Sequence, residues 1–577
     1  MASKEETCDA PAELVNKKAT GNWWWNPESP ARPLCHHPRA PFHLLDFLMQ
    51  FRWIIIIPIV LPLSFLWARA HLLRAWIKSL IRGPATLRKH LDRVERVRSA
   101  VAKHRSGYHG LVCTARPTFW SVTNRDSAYK RGSRYEVDLS DLADIVNVDL
   151  NRMVVKIEPY VTMGYLTATL LKLGVCIPVV PEYDDLTVGG LVCGYGIEGS
   201  SHKYGLFYDE VVSMEIVLAG GRVVTATRDN EHKDLFHAIP WSYGALGMLV
   251  GVEMRLIKVK PYMKVTYYPV AGTIEEMCKA WNHFLVPEDK LWAEYVEGLI
   301  YSSNRGVIMT ADYVDEQEAR TGKINRMGYW FKPWFHKHVK ESVLDKSTDG
   351  SPVVEYVPTR DYYHRHTRSL YWEADLLVPM GNHVLFRWLL GWLMPPRVSF
   401  LKLTTFGKMW EYYTARFVAQ DILVPLHKTA ACMELMHDDY DIYPLWLCPH
   451  RVFKTRMGTM LDCEKDYDSG EMAQGDTNEA QMFTDLGIWY TPGHILRKEK
   501  FDAAAASHKL EQWLIENHGY QTLYAITELN ESDFWKMFDK TLYQQCREKY
   551  NAEGSFMDVY YKVGKKNSSA SALAARS

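Results

Sequence analysis

The sequence predicts an α+β protein: a domain of alternating short strands and helices, then a second, aromatic-rich domain, all behind an apolar N-terminal anchor. Three observations carry that prediction. Trp53–Trp67 reads WIIIIPIVLPLSFLW without a charge. From Gly110 to about residue 260, β-branched runs alternate with helical patterns and glycine clusters. From Pro261 to Glu499 aromatics become dense, among them Trp330, Trp334, Tyr362, Trp388, Trp392 and Trp410. At 577 residues and 47% hydrophobic content the chain has room for two or three cores. Lys plus Arg and Asp plus Glu both total 68, so no net charge draws a nucleic acid, and no nucleic-acid module is present. The ten cysteines form no C-x-x-C pair, which fits reduced thiols, and no spacing suggests a metal site.

Residues 1–43 are polar and proline-rich and read as a flexible tail, with Trp23–Trp25 suited to a membrane interface. Residues 44–67 read as a transmembrane anchor. The uncharged core is short for a hydrocarbon layer that needs about 20 residues, and extension to Leu44 takes in Asp46, Gln50 and Arg52, so crossing and interfacial placement both fit. Pro58 and Pro62 do not exclude a span, because freed carbonyls in lipid are satisfied locally. Residues 68–106 form a basic linker with eleven Lys or Arg against Asp92 and Glu95. The positive-inside rule then places everything C-terminal of the anchor in the cytosol, and the stretch also suits anionic headgroups or a solvated helix.

Residues 107–260 make the first folded domain. VVKIEP around Val154 is a strand, Met163–Leu173 is helical, and Val211–Leu218 with Arg222–Thr227 is a hairpin turned at Ala219–Gly221. Asp234–Ile239 is a short helix, Gly244 and Gly247 mark a tight passage, and Met248–Ile257 alternates as a strand. The segment Pro181–Gly205, PEYDDLTVGGLVCGYGIEGSSHKYG, holds six glycines. Such a backbone can approach a ligand closely and offer N–H groups to phosphate oxygens. A structural loop explains the glycines too. Gly194–Gly199 matches G-x-G-x-x-G, but TVGGL is no buried strand and SSHKYGL is a poor helix, so the Rossmann reading fails; a P-loop is absent. Residues 261–499 form the second domain, 500–560 a helical segment packing on the core, and 561–577 a low-complexity tail expected to be disordered. Nothing in the pattern sets an oligomeric state.

The order of PEYDDLTVGGLVCGYGIEGSSHKYGL, VLAGGRVV (Val217–Val224) and DLFHAIPWSYGALGMLV (Asp234–Val250) resembles the FAD-binding domain of the vanillyl-alcohol-oxidase (PCMH-type) superfamily. GLVCTARP (Gly110–Pro117), EPYVTMG (Glu158–Gly164), YYHRHTRSLYWE (Tyr362–Glu373), LLGWLMPP, YPLWLCPH and ENHGYQTLYA narrow the resemblance to the delta(24)-sterol reductases. It implies a PCMH-type FAD domain of two subdomains closed by an α/β cap (substrate) domain, with FAD between them, NADPH as reductant, a sterol as substrate and the endoplasmic reticulum membrane as location. The matched FAD positions are Thr114 and Arg116 in the first loop; Thr162, Met163, Gly164, Tyr165, Leu166, Thr167 and Gly174 next; then Pro181, Thr187, Gly189, Gly190, Gly194, Gly196, Ser200, Ser201 and Gly205; and finally Gly247 and Val250. The run from Tyr165 to Leu173 reads equally as an ordinary packed helix. TARPTFW carries no His, so noncovalent FAD is expected.

Reducing an isolated alkene needs a proton on carbon 24 before or with hydride on carbon 25, hence an acid, a dry pocket and aromatic faces beside the transient cation. YYHRHTRSLYWE supplies candidates: His366 or Tyr363 as proton donor, Arg368 and Glu373 as orienting groups. Read as a strand, it turns Tyr363, Arg365 and Thr367 one way and Tyr362, His364 and His366 the other. A charged surface turn or a core strand is the bland reading, and its arginines could instead receive NADPH phosphates. A flavin oxidase or lipid synthase of the same superfamily, and a noncatalytic sterol-binding scaffold, are the competing functions.

Overall fold

The computed structural model describes residues 44–82, 85–104, 110–117, 120–121, 130, 134–286, 292–405, 408–461, 463–464 and 480–564. The expected N-terminal tail with Trp23–Trp25, and the stretch from Lys565 onward, lie outside them.

The first folded unit is built on a five-stranded antiparallel sheet in the order Ile145–Asp149, Val154–Ile157, Met248–Arg255, Val211–Val217, Val223–Thr227. Valine and isoleucine dominate it because branched side chains pack well on a pleated, buried surface. The expected hairpin is present, with Val217 opposite Val223. Its turn needs glycine twice over: Gly220 and Gly221 have φ of 73° and 85°, and a Cβ on Gly221 would sit 2.7 Å from Ala102 Cβ. That contact seats the linker helix Leu87–Ala102, whose Val94, Val97 and Val101 are buried. Its His90 reaches Glu158 at 3.0 Å and Glu215 at 2.6 Å, and its Arg93 reaches Glu158 and Asp144 at 2.6 and 2.5 Å. The Leu87–Ala102 part of the basic stretch is therefore docked on this unit.

The cap is an eight-stranded, wholly antiparallel sheet in the order Val353–Pro358, Tyr262–Ala271, Arg305–Val314, Tyr295–Ser302, Leu445–Phe453, Ala480–Tyr490, Val418–Pro425, Tyr520–Gln521. Helix Ile274–Leu285, opened by a Thr273/Glu276 capping box, buries Met277, Trp281 and Leu285. The C-terminal segment belongs to both units. Tyr520–Gln521 extends the cap sheet, while the Val112 N–H donates to Ser555 and Arg547 donates to the Ala245 carbonyl at 2.8 Å. Tyr561–Val563, expected in the tail, instead belong to a helix, Val559–Val563, because buried Val559, Tyr560 and Val563 hold it to the core.

Two local expectations are corrected. Ser201–Tyr204 does form one helical turn, ended by Gly205 at φ 81°. Tyr362–Glu373 is no strand: helix Thr359–Tyr363 runs into turns, with Leu370 and Tyr371 at φ 46° and 59°. The alternation fails because every side chain from Tyr362 to Thr367 is buried, leaving no solvent face to define a period of two.

The anchor comprises Leu44–Gln50, Trp53–Ile55, a π turn Ile56–Val60 and Leu61–Arg82. The π turn falls at Pro58, whose missing N–H breaks the regular ladder. Among the described residues one helix, Phe47–Arg74, is long and apolar enough to cross a membrane: it runs for 28 residues, and its most apolar stretch has a mean hydropathy of 2.0.

Candidate active site

A cavity of about 390 Å³ opens between the first unit and the cap. One wall comes from the first unit: Thr114, Arg116, Lys130, Pro181, Thr187, Gly190, Gly196 and Tyr243. The other comes from the cap: Leu370, Tyr371, Glu373, Val398, Asp421, Trp446, Trp489 and Tyr524.

The cap wall follows from strand register. Asp421 and Trp446 each lie opposite Gly487 on adjacent antiparallel strands, so Asp421, Trp446, Asp485 and Trp489 share one face. Gly487 leaves room for the rings, since its Cβ would collide with Trp489. Tyr371, thrown outward by its positive φ, stacks on Trp489 with centroids 4.3 Å apart. The result is an aromatic basin holding carboxyls. Tyr524 donates to Asp421 Oδ2 at 2.8 Å and accepts from Trp489 Nε1 at 2.9 Å. Tyr195 donates to Asp485 Oδ2 at 2.6 Å, and Tyr371 to Glu182 Oε2 at 2.9 Å. Burial, then the charge of Asp485, pushes Asp421 well above the usual carboxylate range; burial and Glu198 do the same to Glu182. In both, burial favours the protonated form. Burial lifts Glu373 to about 7 against the pull of Arg52 and Lys402.

The four catalytic candidates separate. Glu373 lines the cavity; His366, Tyr363 and Arg368 do not. His366 lies one layer behind, its ring stacked on Tyr371 at 5.2 Å and its Nε2 3.5 Å from Glu297 Oε2. Burial drops it to about 4, so it is neutral and a poor acid. The Tyr363 hydroxyl is 2.6 Å from that of Tyr313, inside the cap. Arg368 donates to the backbone carbonyls of Met327, Tyr329, Lys332 and Pro333, and Arg365 bridges Glu198 and Glu297 at 2.7 Å each. Both guanidinium groups are therefore engaged rather than free for NADPH phosphates.

Of the expected FAD positions, Thr114, Arg116, Pro181, Thr187, Gly190 and Gly196 line the cavity. Gly189 and Gly194 instead buy close packing: their Cβ atoms would lie 2.6 Å from Pro159 Cβ and 2.7 Å from the Gly190 carbonyl. Gly247 packs on Ile216, and Gly205 and Gly174 supply positive φ. The helix Met163–Leu170, N-capped by Thr162, is the packed helix of the alternative reading. Met163 and Leu166 are wholly buried, Tyr165 is exposed, Gly164 abuts Asp184, and Thr167 bonds His364 Nε2 at 2.8 Å. Ser200 donates to the Pro178 carbonyl, Ser201 accepts from the Glu198 N–H, and Val250 is core.

Sequence reasoning did not single out Lys130, Glu182, Tyr195, Asp421, Asp485 and Tyr524. Glu182, Trp446 and Tyr524 lay inside motifs read only for resemblance; Asp421 had no signal at all.

The donor set fits a dinucleotide. Arg116 and Lys130 stand with Thr114, Thr187 and Gly190 at one side, and Lys130 Nζ holds the Thr114 and Arg116 carbonyls at 2.9 and 2.8 Å. Cations and hydroxyls there suit a pyrophosphate, and the apolar, acid-bearing cap side suits a hydrocarbon. Residues 109–227 match the family model of the FAD binding domain. Fold and site together define an FAD-dependent oxidoreductase. The chain is 47% identical to the delta(24)-sterol reductase of Pisum sativum, over 90% of this chain and 92% of that protein. It is 46% identical to the delta(24)-sterol reductase of Arabidopsis thaliana (92% and 94% covered) and 38% identical to that of Homo sapiens (90% and 95%). The chain belongs to the delta(24)-sterol reductase family.

Proposed function

We propose that this protein reduces the delta(24) double bond of a sterol side chain with NADPH, through noncovalently bound FAD, at the endoplasmic reticulum membrane with its folded part in the cytosol. The observation that carries the reading is the aromatic basin facing the glycine-lined wall, with the buried Asp421 carboxyl inside it held by the Tyr524 hydroxyl. FAD reduced by NADPH supplies the hydride. Arg116 and Thr187 hold the phosphates, Lys130 fixes the loop that presents them through the Thr114 and Arg116 carbonyls, and Gly190 admits the cofactor where a larger side chain would not. Asp421 delivers the proton to carbon 24, with Tyr524 fixing its carboxyl. The faces of Trp446, Trp489 and Tyr371 stabilise the positive charge that develops on carbon 25 and exclude water.

The test is an anaerobic spectrum of the full chain in detergent. NADPH bleaches the flavin band and a delta(24) sterol restores it. Restoration by oxygen alone would indicate an oxidase, and folded, FAD-supplemented protein without a flavin band would overturn the reading.

A further inference from the structure

The anchor is seated on the cap over its length. Ile56, Val60 and Leu61 are at most 4% exposed, packed with Leu377, Val378, Phe386, Leu393 and Leu401. At its start Arg52 donates to the Leu401 carbonyl at 2.8 Å and to Thr404 Oγ1 at 2.6 Å. Further on, Ser64 accepts from the Arg397 N–H at 3.0 Å, and the Arg397 guanidinium lies 3.8 Å over the Trp67 ring. Arg52 to Trp67 spans about 22 Å at the helical rise per residue.

The outer side of the same helix is apolar and uncovered, with Ile54, Ile55, Ile59, Leu63 and Leu66 all at least half exposed. Beside it lies a second apolar helical stretch, Val384–Leu393, too short to span a bilayer. It puts Phe386 and Leu393 into the shared cluster and leaves Leu385, Trp388 and Leu389 58–69% exposed. The two stretches meet where the Phe65 and Trp392 rings pack edge-on at 4.8 Å. Exposed Trp330 and Tyr329 adjoin them, since the Trp330 carbonyl backs Gly391 and Phe331 stacks on Trp388. A crossing helix would carry the irregular backbone of 394–397, the charged Arg397 and the short helix Val398–Leu403 to bilayer depth, where irregular backbone facing lipid is not tolerated. A helix lying in the interface keeps that backbone in the aqueous and headgroup zone, its tryptophans at the boundary and exposed Arg69 and Arg74 near anionic headgroups.

We propose that 44–67 does not cross the bilayer but lies within one leaflet beside 384–393, the two forming a single lipid-facing platform. Tyr183, Leu186, Leu370 and Val398 belong both to the cluster that holds the anchor and to the cavity wall. The cavity is thus separated from the leaflet by side chains alone, and a lipid-dissolved substrate enters past them; this last point rests on the sterol reading above.

Three measurements on the full chain test it. In sealed microsomes, protease added outside removes epitopes at both the N-terminus and the C-terminus; a protected N-terminus with a cleaved C-terminus would establish a span and overturn the proposal. An environment-sensitive fluorophore on Leu389→Cys, in phosphatidylcholine vesicles, shifts to the blue and is quenched by nitroxide-bearing lipid; water-like emission without quenching would remove 384–393 from the platform. Leu385→Glu with Leu389→Glu lowers turnover of vesicle-held sterol at least about tenfold while detergent-dispersed sterol stays within about twofold, given the apolar burial lost. Equal loss from both sources would sink the entry route without touching the topology. Absence of turnover from either source in the unsubstituted chain would instead count against the sterol reading.

Discussion

Two kinds of buried carboxyl surround the cavity, and their neighbours decide their charge. Burial alone would raise Glu297, but Arg365 and His366 outweigh it and hold the group at about 2. Asp421 has a phenol and a second carboxyl instead, so burial wins and the group is pushed above the usual carboxylate range. An unfolded Asp ionises near pH ~3.9. Folding therefore takes up a proton at Asp421, and its contribution to stability falls as pH rises from there through the folded value. Asp421→Asn keeps the shape without the proton. The variant should bleach with NADPH as before yet lose reoxidation by sterol about a hundredfold or more, the usual worth of a general acid. Its Tm relative to the unsubstituted chain should improve as pH rises. Stopped-flow reoxidation and thermal scans across pH check both; unchanged reoxidation would remove Asp421 from the chemistry. No reading of the sequence could have found it, since a lone Asp in VAQDILVP has no spacing to speak for it, whereas Glu373 stood in a motif dense with polar groups.

At the scale of elements, the regular segments were legible and the one that supplies Tyr371 and Glu373 to the cavity wall was misread. The hairpin at Ala219–Gly221 announced itself through turn glycines, and Met248–Arg255 through its strand-like alternation. Tyr362–Glu373 misled because period-two reasoning assumes one wet face, and this stretch is held by contacts across the two units rather than by a ladder. Arg365 is the clearest of these, joining Glu198 beside the glycine segment to Glu297 on a cap strand. Its guanidinium also lies 4.3 Å over the Tyr362 ring. Arg365→Met removes the positive partner of two buried carboxyls and should cost about 3–5 kcal/mol, the usual penalty for breaking a buried pair. Urea unfolding of the FAD-loaded protein measures it. Arg365→Lys, which keeps the charge but not the fork, should recover part of the loss; equal stability of all three forms would show that the bridge does not join the units.

For the whole molecule, the sequence indicated an anchor, a linker and two folded units, but sequence patterns see each segment alone and hide that each is fastened to a different neighbour. The linker helix is tied to the first unit through His90 and Arg93, while the anchor is tied to the cap through Arg52, Ser64 and Trp67. The described residues 44–82 and 85–102 are consequently a strap across both. A detachable tether could be removed without harm, but this one cannot, because Leu370, Val398 and Tyr183 would lose their packing partners while still forming the cavity wall. Deleting residues 1–67 should therefore lower Tm by about 5 °C or more in the same detergent, each kcal/mol counting for a few degrees or less in a protein this large. FAD should also dissociate more readily, because Leu186 and Tyr183 flank Glu182 and Thr187 on the cofactor side. Flavin fluorescence released on dilution measures that loss. A truncated chain that melts and retains FAD like the full one would show that the anchor only holds the protein at the membrane, and that the cavity is complete without it.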